Sequence, residues 1–382
     1  MGRLTAKTIK LNLLRFGFNC YYQVCSRIGS VRPKQIVFVT MRSAKLTDNL
    51  RAVHNRMAQD GQYKLRTLCY QYDRSWQSKF GFLVASLRTL RLLAHSEVMV
   101  IDDYCFPLDT IRKRPQNQVV QLWHAIGTLK KFGLSLPQPR QNVLKAHQNY
   151  DWVLINSAAD RSAYVEAFDI APERVVATGA PMLDQLVAQR PDQHAASKRL
   201  LYAPTYRSGK TGQEELLAII QCFIRATRQL AQPWEVYISI HPYVAWPKVR
   251  LPKNVHVFQD ATRVKQLLAS TDLFVTDYSS LSLSFSYFDR PILLYTPDFE
   301  RYVRTGGFYV DYYKYLNVPH FNRADQLVTY LNHNLSQYPL AGVQRLRQRT
   351  FDHQDGQNTQ RVVTFLTTLI KKQPVGCETN EN

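Results

Sequence analysis

The chain has 382 residues, 45% apolar and 12% aromatic, which excludes a disordered chain and suits two domains of ordinary size. Forty-nine Lys and Arg against twenty-nine Asp and Glu leave a formal charge of +20, so an anionic partner is expected: a phosphate-rich substrate, an anionic lipid surface or nucleic acid. No apolar run reaches the ~18 residues needed to cross a bilayer, no signal peptide is evident, and the six scattered cysteines have neither CxxC nor zinc spacing, as in reduced thiols of a cytosolic protein.

Residues 1–34 hold seven cations and no acid. Leu4, Leu11, Phe18 and Cys25 recur every seven residues, and Leu14, Tyr21 and Ile28 form a second row beside them. This predicts a basic amphipathic helix, which either lies in a membrane interface or packs on the protein's own core. Buried-type strands follow at 35–40, 63–70, 97–101, 118–122, 152–156 and 175–178, with helices at 50–59, 79–94, around 143–147 and at 158–168. Residues 188–199, AQRPDQHAASKR, are polar and aperiodic and read as an interdomain linker. The alternation then restarts, with strands at 200–203, 235–240, 255–258, 273–276 and 292–295 and helices at 213–230, 264–269, 281–288 and 359–371. Strand–helix alternation in both halves predicts an α/β fold with two parallel sheets, covered by helices on both faces. The expected domains are a membrane-associating segment at 1–34, an acceptor domain at 35–187, the linker, a nucleotide-donor domain at 200–372 and a disordered tail at 373–382.

Candidate chemistry lies just after the strands, where open α/β sheets bind ligands. The stretch QLWHAIGTLKKFG, residues 121–133, offers His124 for proton transfer, a flexible Gly127, the Thr128 hydroxyl and the cations Lys130 and Lys131. APTYR presents Thr205 and Arg207, and Arg grips phosphate bidentately. His241 ends the strand VYISI. In TDYSS, Asp277 ends a strand and Ser279–Ser280 open a helix, whose free N–H groups suit an anion; a serine there also serves as an N-cap. Asp298, Arg301, Arg304 and Asp311 follow the next strand and suit ribose, polyol, phosphate or plain solvation. There is no metal-ligand cluster, no cofactor motif and no nucleic-acid motif such as an RNP aromatic pair, zinc finger or basic zipper helix.

These segments, with TGAPMLDQL, ISIHPY, DLFVTDYSSLSLSFSYFDRPILLY, GGFYVDY and FDHQDGQNTQRVV, resemble the CDP-glycerol:polyol-phosphate glycerophosphotransferase family of wall teichoic acid biosynthesis, in the family's order from residue 35 to 363. The resemblance implies a GT-B-like pair of Rossmann-like domains facing across a cleft, on the inner membrane face. It maps the family's two functional histidines to His124 and His241 and its donor-phosphate site to Ser279 and Ser280. It implies transfer of glycerol phosphate from CDP-glycerol, or a related CDP-polyol, to a hydroxyl of a lipid-linked acceptor, with release of CMP. Two departures stand out. The family's commoner Gly-Thr-Pro-Leu-Lys is here Gly127–Thr128–Leu129–Lys130, preceded by Ala125–Ile126, and the Arg it often carries after Gly-x-Pro is replaced by Met182–Leu183 before Asp184. The length resembles the family's compact members, which include primases. The rival expectations are a CDP-ribitol transferase and a GT-B glycosyltransferase using a nucleotide sugar.

Overall fold

The computed structural model describes residues 6–71, 76–137, 144–189, 197–247 and 249–372. The predicted tail at 373–382, linker residues 190–196, the first five residues of the predicted basic helix and Val143 lie outside them. The chain divides into two units. The first takes the described residues of 1–126, 131–184 and 352–382, and the second those of 127–130 and 185–351.

In the first unit the chain runs α1 (Ala6–Ile28), β1 (Arg32–Thr40), α2 (Asp48–Asp60), β2 (Lys64–Cys69), α3 (Trp76–Ala94), β3 (Ser96–Ile101), β4 (Gln118–Gln121), β5 (Trp152–Ile155), α4 (Arg161–Phe168) and β6 (Val175–Ala177), and α5 (Asp184–Ala188) follows. The six strands form one parallel sheet in the order β2-β1-β3-β4-β5-β6. Side chains alternate across a strand, and β1 shows why both faces must be covered. Ile36 and Phe38 pack with Leu50, Val53 and Met57 of α2, while Val37 and Val39 pack on the other face with Phe18, Tyr22 and Leu90.

The second unit runs β7 (Lys198–Ala203), α6 (Gly209–Ala226), β8 (Trp234–Ser239), β9 (Val255–Phe258), α7 (Ala261–Leu268), β10 (Leu273–Thr276), α8 (Leu281–Phe285), β11 (Ile292–Tyr295), α9 (Phe299–Gly306), α10 (Tyr312–Leu316), β12 (His320–Phe321), α11 (Ala324–His333) and α12 (Ala341–Thr350). Its sheet is also parallel, in the order β12-β11-β10-β7-β8-β9. That is the doubly wound order in which strand succession reverses between β7 and β10, the place where such sheets accept ligands.

The last helix, α13 (Asn358–Lys372), belongs to the first unit rather than to a domain ending at 372. Val362, Val363 and Leu366 are fully or almost fully buried beside Ile36, Phe38 and Val98, each worth about 1.5–3 kcal/mol of apolar burial. Asp352 prepares the return by accepting from Ser157 Oγ and from the Ala158 N–H, both at 2.7 Å. The Asp184 carboxylate then accepts from the N–H groups of Asn358 at 3.0 Å and Thr359 at 2.7 Å, satisfying two orphan donors of the first turn of α13. Gly179, at φ +78°, lies so close to Asn358 that a Cβ would stand 1.9 Å from its Oδ1.

Other boundaries also differ from the sequence reading. Residues 198–199, assigned to the linker, open β7 and pair with Trp234 and Glu235. No helix forms at 144–147, because His147 and Asn149 take left-handed φ of 62° and 65°. Helix α1 keeps one stripe on the core: Phe18 and Tyr22 are buried, and Tyr22, in neither predicted row, donates to Asn117 Oδ1 at 2.7 Å. Ile28 of the second row is exposed. Among the described residues no helix is long and apolar enough to cross a membrane.

Candidate active site

His124 lies in the first unit, three residues beyond the end of β4. The turn that carries it is strained. Trp123 sits at φ +50°, a conformation that a bulky side chain holds only when its surroundings impose it. Two amides do so. Gln121 Oε1 accepts from the Trp123 N–H at 2.8 Å, and Asn49 Nδ2 donates to the Trp123 carbonyl at 2.8 Å. Asn49 is itself fixed by accepting from the Met182 N–H at 2.8 Å, which ties the turn to the TGAPM segment. The imidazole stacks on Trp123, with centroids 4.6 Å apart. Its Nδ1 lies 3.2 Å from the Asp102 carbonyl and 3.8 Å from Asp103 Oδ1. Both neighbours only accept, so Nδ1 carries the proton and Nε2 keeps a free lone pair. That is the form a general base needs.

The second unit has a cavity at the reversal point of its sheet. Thr205 follows β7, His241 follows β8 and Ser279–Ser280 follow β10. With Lys130 they line one cavity of about 350 Å³. Pro204, Ile240, Pro242, Val264 and Leu281 supply apolar wall, as a flat base or ring would require. The Tyr243 N–H donates to His241 Nδ1 at 3.2 Å, so the neutral ring carries its proton on Nε2 and is a donor there. Burial pushes His241 below the ordinary imidazole value, which keeps it neutral near pH 7. Ser279 Oγ accepts from the Leu281 N–H at 3.2 Å, whereas Ser280 makes no capping bond. The expected helix at 281–288 is a five-residue α-turn, α8, continued by a 3-10 turn to Phe288.

Arg207 and Asp277 do not line this cavity. Arg207 is 8% exposed and its guanidinium is occupied by protein. It donates Nε to Asp298 Oδ2 at 2.9 Å, Nη2 to Asp298 Oδ1 at 3.1 Å and to Asp277 Oδ2 at 2.9 Å, and Nη1 to the Thr205 carbonyl at 2.7 Å. The Tyr278 and Tyr302 rings, stacked 3.9 Å apart, lie 4.9 and 4.7 Å from its carbon. Arg207, expected to grip a phosphate, spends these hydrogen bonds on protein groups. Two buried carboxylates claim its fork, and the ion pair lies outside the cavity lining. Burial raises Asp298, but the Arg207 hydrogen bonds and charge outweigh it and leave Asp298 below the usual carboxylate range. Asp277 Oδ1 also accepts from the Thr205 N–H at 2.8 Å, so this network sets the Thr205 loop.

Gly127 and Thr128 belong to the second unit, but as a strap rather than as cavity lining. The four later candidates separate too. Asp298 pairs with Arg207, Arg301 with Glu215, and Asp311 caps α10 by accepting from the Lys314 N–H at 3.3 Å. Arg304 lines a separate open pocket of about 690 Å³ beside Thr296 and Tyr313. Asn49, Asp102, Tyr278 and Tyr302 were not singled out from sequence. None of them carried a sequence signal: that the polar Asn49 is buried in the first turn of α2 is seen only in the structure.

The fold agrees with what the chain resembles. It is 27% identical over 394 residues to the teichoic acid ribitol-phosphate primase of Bacillus spizizenii, covering 95% of this chain and 98% of that one. It is 24% identical over 389 residues to the teichoic acid glycerol-phosphate primase of Bacillus subtilis, covering 92% and 98%. A structure of a variant of the wall teichoic acid polymerase TagF superposes with a TM-score of 0.73 at 19% identity, over 96% of each chain, and the fold is GT-B-like. The model of the CDP-Glycerol:Poly(glycerophosphate) glycerophosphotransferases matches residues 21–368, nearly the whole chain, which therefore belongs to that family.

Proposed function

We propose that the chain transfers glycerol phosphate from CDP-glycerol to a hydroxyl of a lipid-linked saccharide or polyol-phosphate chain in teichoic acid biosynthesis, releasing CMP. The observation that carries this reading is the cavity at the β7/β10 reversal, which combines Lys130, Thr205, His241, Ser279 and Ser280 with an apolar wall in a chain of this family. In this reading the cavity holds the donor. His241 donates Nε2–H to a phosphate oxygen, and the Ser279 and Ser280 hydroxyls add donors where charge develops. The acceptor oxygen gives its proton to His124 Nε2 and bonds to the phosphorus that bears the polyol. The bond from that phosphorus to the CMP oxygen breaks, and CMP leaves with the electron pair. Arg207 and Asp277 hold the Thr205 loop, and Gly127 and Thr128 hold the strap that carries Lys130.

A CDP-ribitol donor is the second reading. The ribitol-phosphate primase at 27% identity and the glycerol-phosphate primase at 24% support the two polyols about equally. Incubation with CDP-glycerol, CDP-ribitol and UDP-sugars on a lipid-linked disaccharide, with mass spectrometry of the product, decides between them. CMP release with CDP-glycerol and an added mass of one or more glycerol phosphates is expected. Release only from a UDP-sugar overturns the reading in favour of a glycosyltransferase. The anionic inner membrane surface is the proposed working location, reached through the basic helix α1.

A further inference from the structure

Residues 127–130 follow β4 of the first unit in sequence but are part of the second. Three contacts fix them there. Gly127 sits at φ +69°, a backbone conformation that favours glycine, and a Cβ there would come 2.0 Å from Leu283 Cδ1 of α8. The Leu129 carbonyl accepts from the Tyr309 N–H at 3.0 Å. Lys130 pairs with Phe308 as an isolated antiparallel bridge. Thr128 and Leu129 are buried. The strap thus ends in a lysine whose backbone is fixed and whose side chain forms part of the cavity wall with Thr205, His241, Ser279 and Ser280.

Among the described residues no carboxylate oxygen lies within 4.0 Å of the Lys130 ammonium, which instead lies 5.4 Å from the centre of the Tyr302 ring. Arg207, Asp277 and Asp298 behind the wall carry a formal charge of −1, from one cation and two anions, so their field attracts Lys130 without pairing it. A desolvated, unpaired ammonium at a cavity is costly unless a ligand brings the counter-charge.

We propose that Lys130 is a phosphate ligand for the diphosphate of the donor, delivered to the cavity by the 127–130 strap; this rests on reading the cavity as a nucleoside-diphosphate site. Its charge state has a consequence. Burial lowers the Lys130 ammonium to about 8, with the Asp277 charge opposing and the Arg207 charge assisting. Tyr206, His241 and Lys265 line the same cavity and Tyr302 lies beside the ammonium; these are the other titratable groups around it, and His241 is neutral near pH 7. A bound diphosphate stabilises the protonated lysine and raises its pKa in the complex. Above pH 8 the free protein must therefore take up a proton to bind, and affinity falls with rising pH, by up to about tenfold per unit.

The test is calorimetric titration of the full chain with CDP and with inorganic pyrophosphate at pH 7 and pH 9. Wild type is expected to bind both probes roughly tenfold more weakly at pH 9. Lys130→Gln is expected to lose about tenfold to a hundredfold at pH 7 and to show little further loss at pH 9. Lys130→Arg, charged at both pH values, is expected to bind at pH 7 and to flatten the profile; its binding also shows that the cavity remains folded. Wild-type-like binding by Lys130→Gln, an unchanged pH profile in Lys130→Arg, or no binding of either probe by wild type overturns the proposal. If Lys130-dependent binding of pyrophosphate persists while neither CDP-glycerol nor CDP-ribitol turns over, the polyol-transfer reading fails and this one stands.

Discussion

His124 and His241 are held in opposite tautomers. The Asp102 carbonyl, 3.2 Å from His124 Nδ1, keeps the proton on that nitrogen, and the Tyr243 N–H, 3.2 Å from His241 Nδ1, keeps the proton on the other one. The first ring offers a lone pair from Nε2 and the second offers an N–H. A backbone group faces Nδ1 in each ring, an acceptor at His124 and a donor at His241.

His124→Ala is therefore expected to lower turnover by roughly 10²–10⁴-fold, the usual worth of a general base, while donor affinity stays near wild type. His241→Ala is expected to weaken donor binding and turnover together. Calorimetry with CDP-glycerol beside a product assay separates these outcomes. A His124→Ala protein whose main defect is donor affinity contradicts the division of labour.

The Arg207 network makes a stability prediction. Arg207→Ala leaves Asp277 and Asp298 buried without their cation, at a cost of about 3–5 kcal/mol. Arg207→Lys keeps the charge but cannot span two carboxylates, so an intermediate loss is expected. The pH dependence has a definite sign. The folded-state pKa of Asp298 lies below its unfolded value, so its stabilisation is present above pH ~4 and is lost as pH falls through the folded pKa. Urea unfolding of wild type and Asp298→Asn is expected to differ at pH 7 and to converge below pH ~4. A pH-independent difference would reject the ion pair as its source.

The capping of α13 by Asp184 is tested by Asp184→Ala, with an expected loss of about 0.5–2 kcal/mol. Gly179→Ala should cost more, because it meets Asn358 Oδ1 and also places a Cβ at φ +78°. Thermal unfolding measures both. A Gly179→Ala protein as stable as wild type would show that the return segment yields at that contact.

Most strands were legible because parallel strands buried on both faces read as short apolar runs; 255–258, 273–276 and 292–295 are exact. The helices α9 to α12 were not. Helices α9 and α10 are eight and five residues long, too short for an apolar period to stand out, and Tyr302, Phe308 and Tyr312 pack around Tyr278 and Arg207. The site was half legible. Strand ends marked His124, Thr205, His241, Ser279 and Ser280. Nothing local told that Arg207 would be claimed by Asp298, which lies 91 residues away, or that four residues of the His124 loop would join the other unit.

The basic helix divides its labour along its length, and this changes how membrane binding must be tested. Phe18 and Tyr22 are core residues, so removing everything before residue 32 would open the first unit and give an ambiguous loss. The outer side of α1 is different. Ile9, Leu13, Phe16 and Val24 follow helical spacing along one exposed stripe, with Leu13 66% and Phe16 69% exposed and Lys10 on its flank; Arg15 is exposed on another side of the helix. Phe80 and Leu83 of α3, which packs on α1, are also exposed. An apolar stripe on a helix that also carries exposed cations suits an anionic interface, where each cation near the surface contributes about 1 kcal/mol. Lys10→Gln with Arg15→Gln is expected to weaken sedimentation with phosphatidylglycerol-containing vesicles by about thirtyfold, and added salt to weaken the wild type. Leu13→Ser with Phe16→Ser should weaken it by roughly tenfold or more through lost apolar burial, without changing thermal unfolding. If both double variants sediment with the vesicles like wild type, α1 does not anchor the protein, and its exposed stripe has another partner.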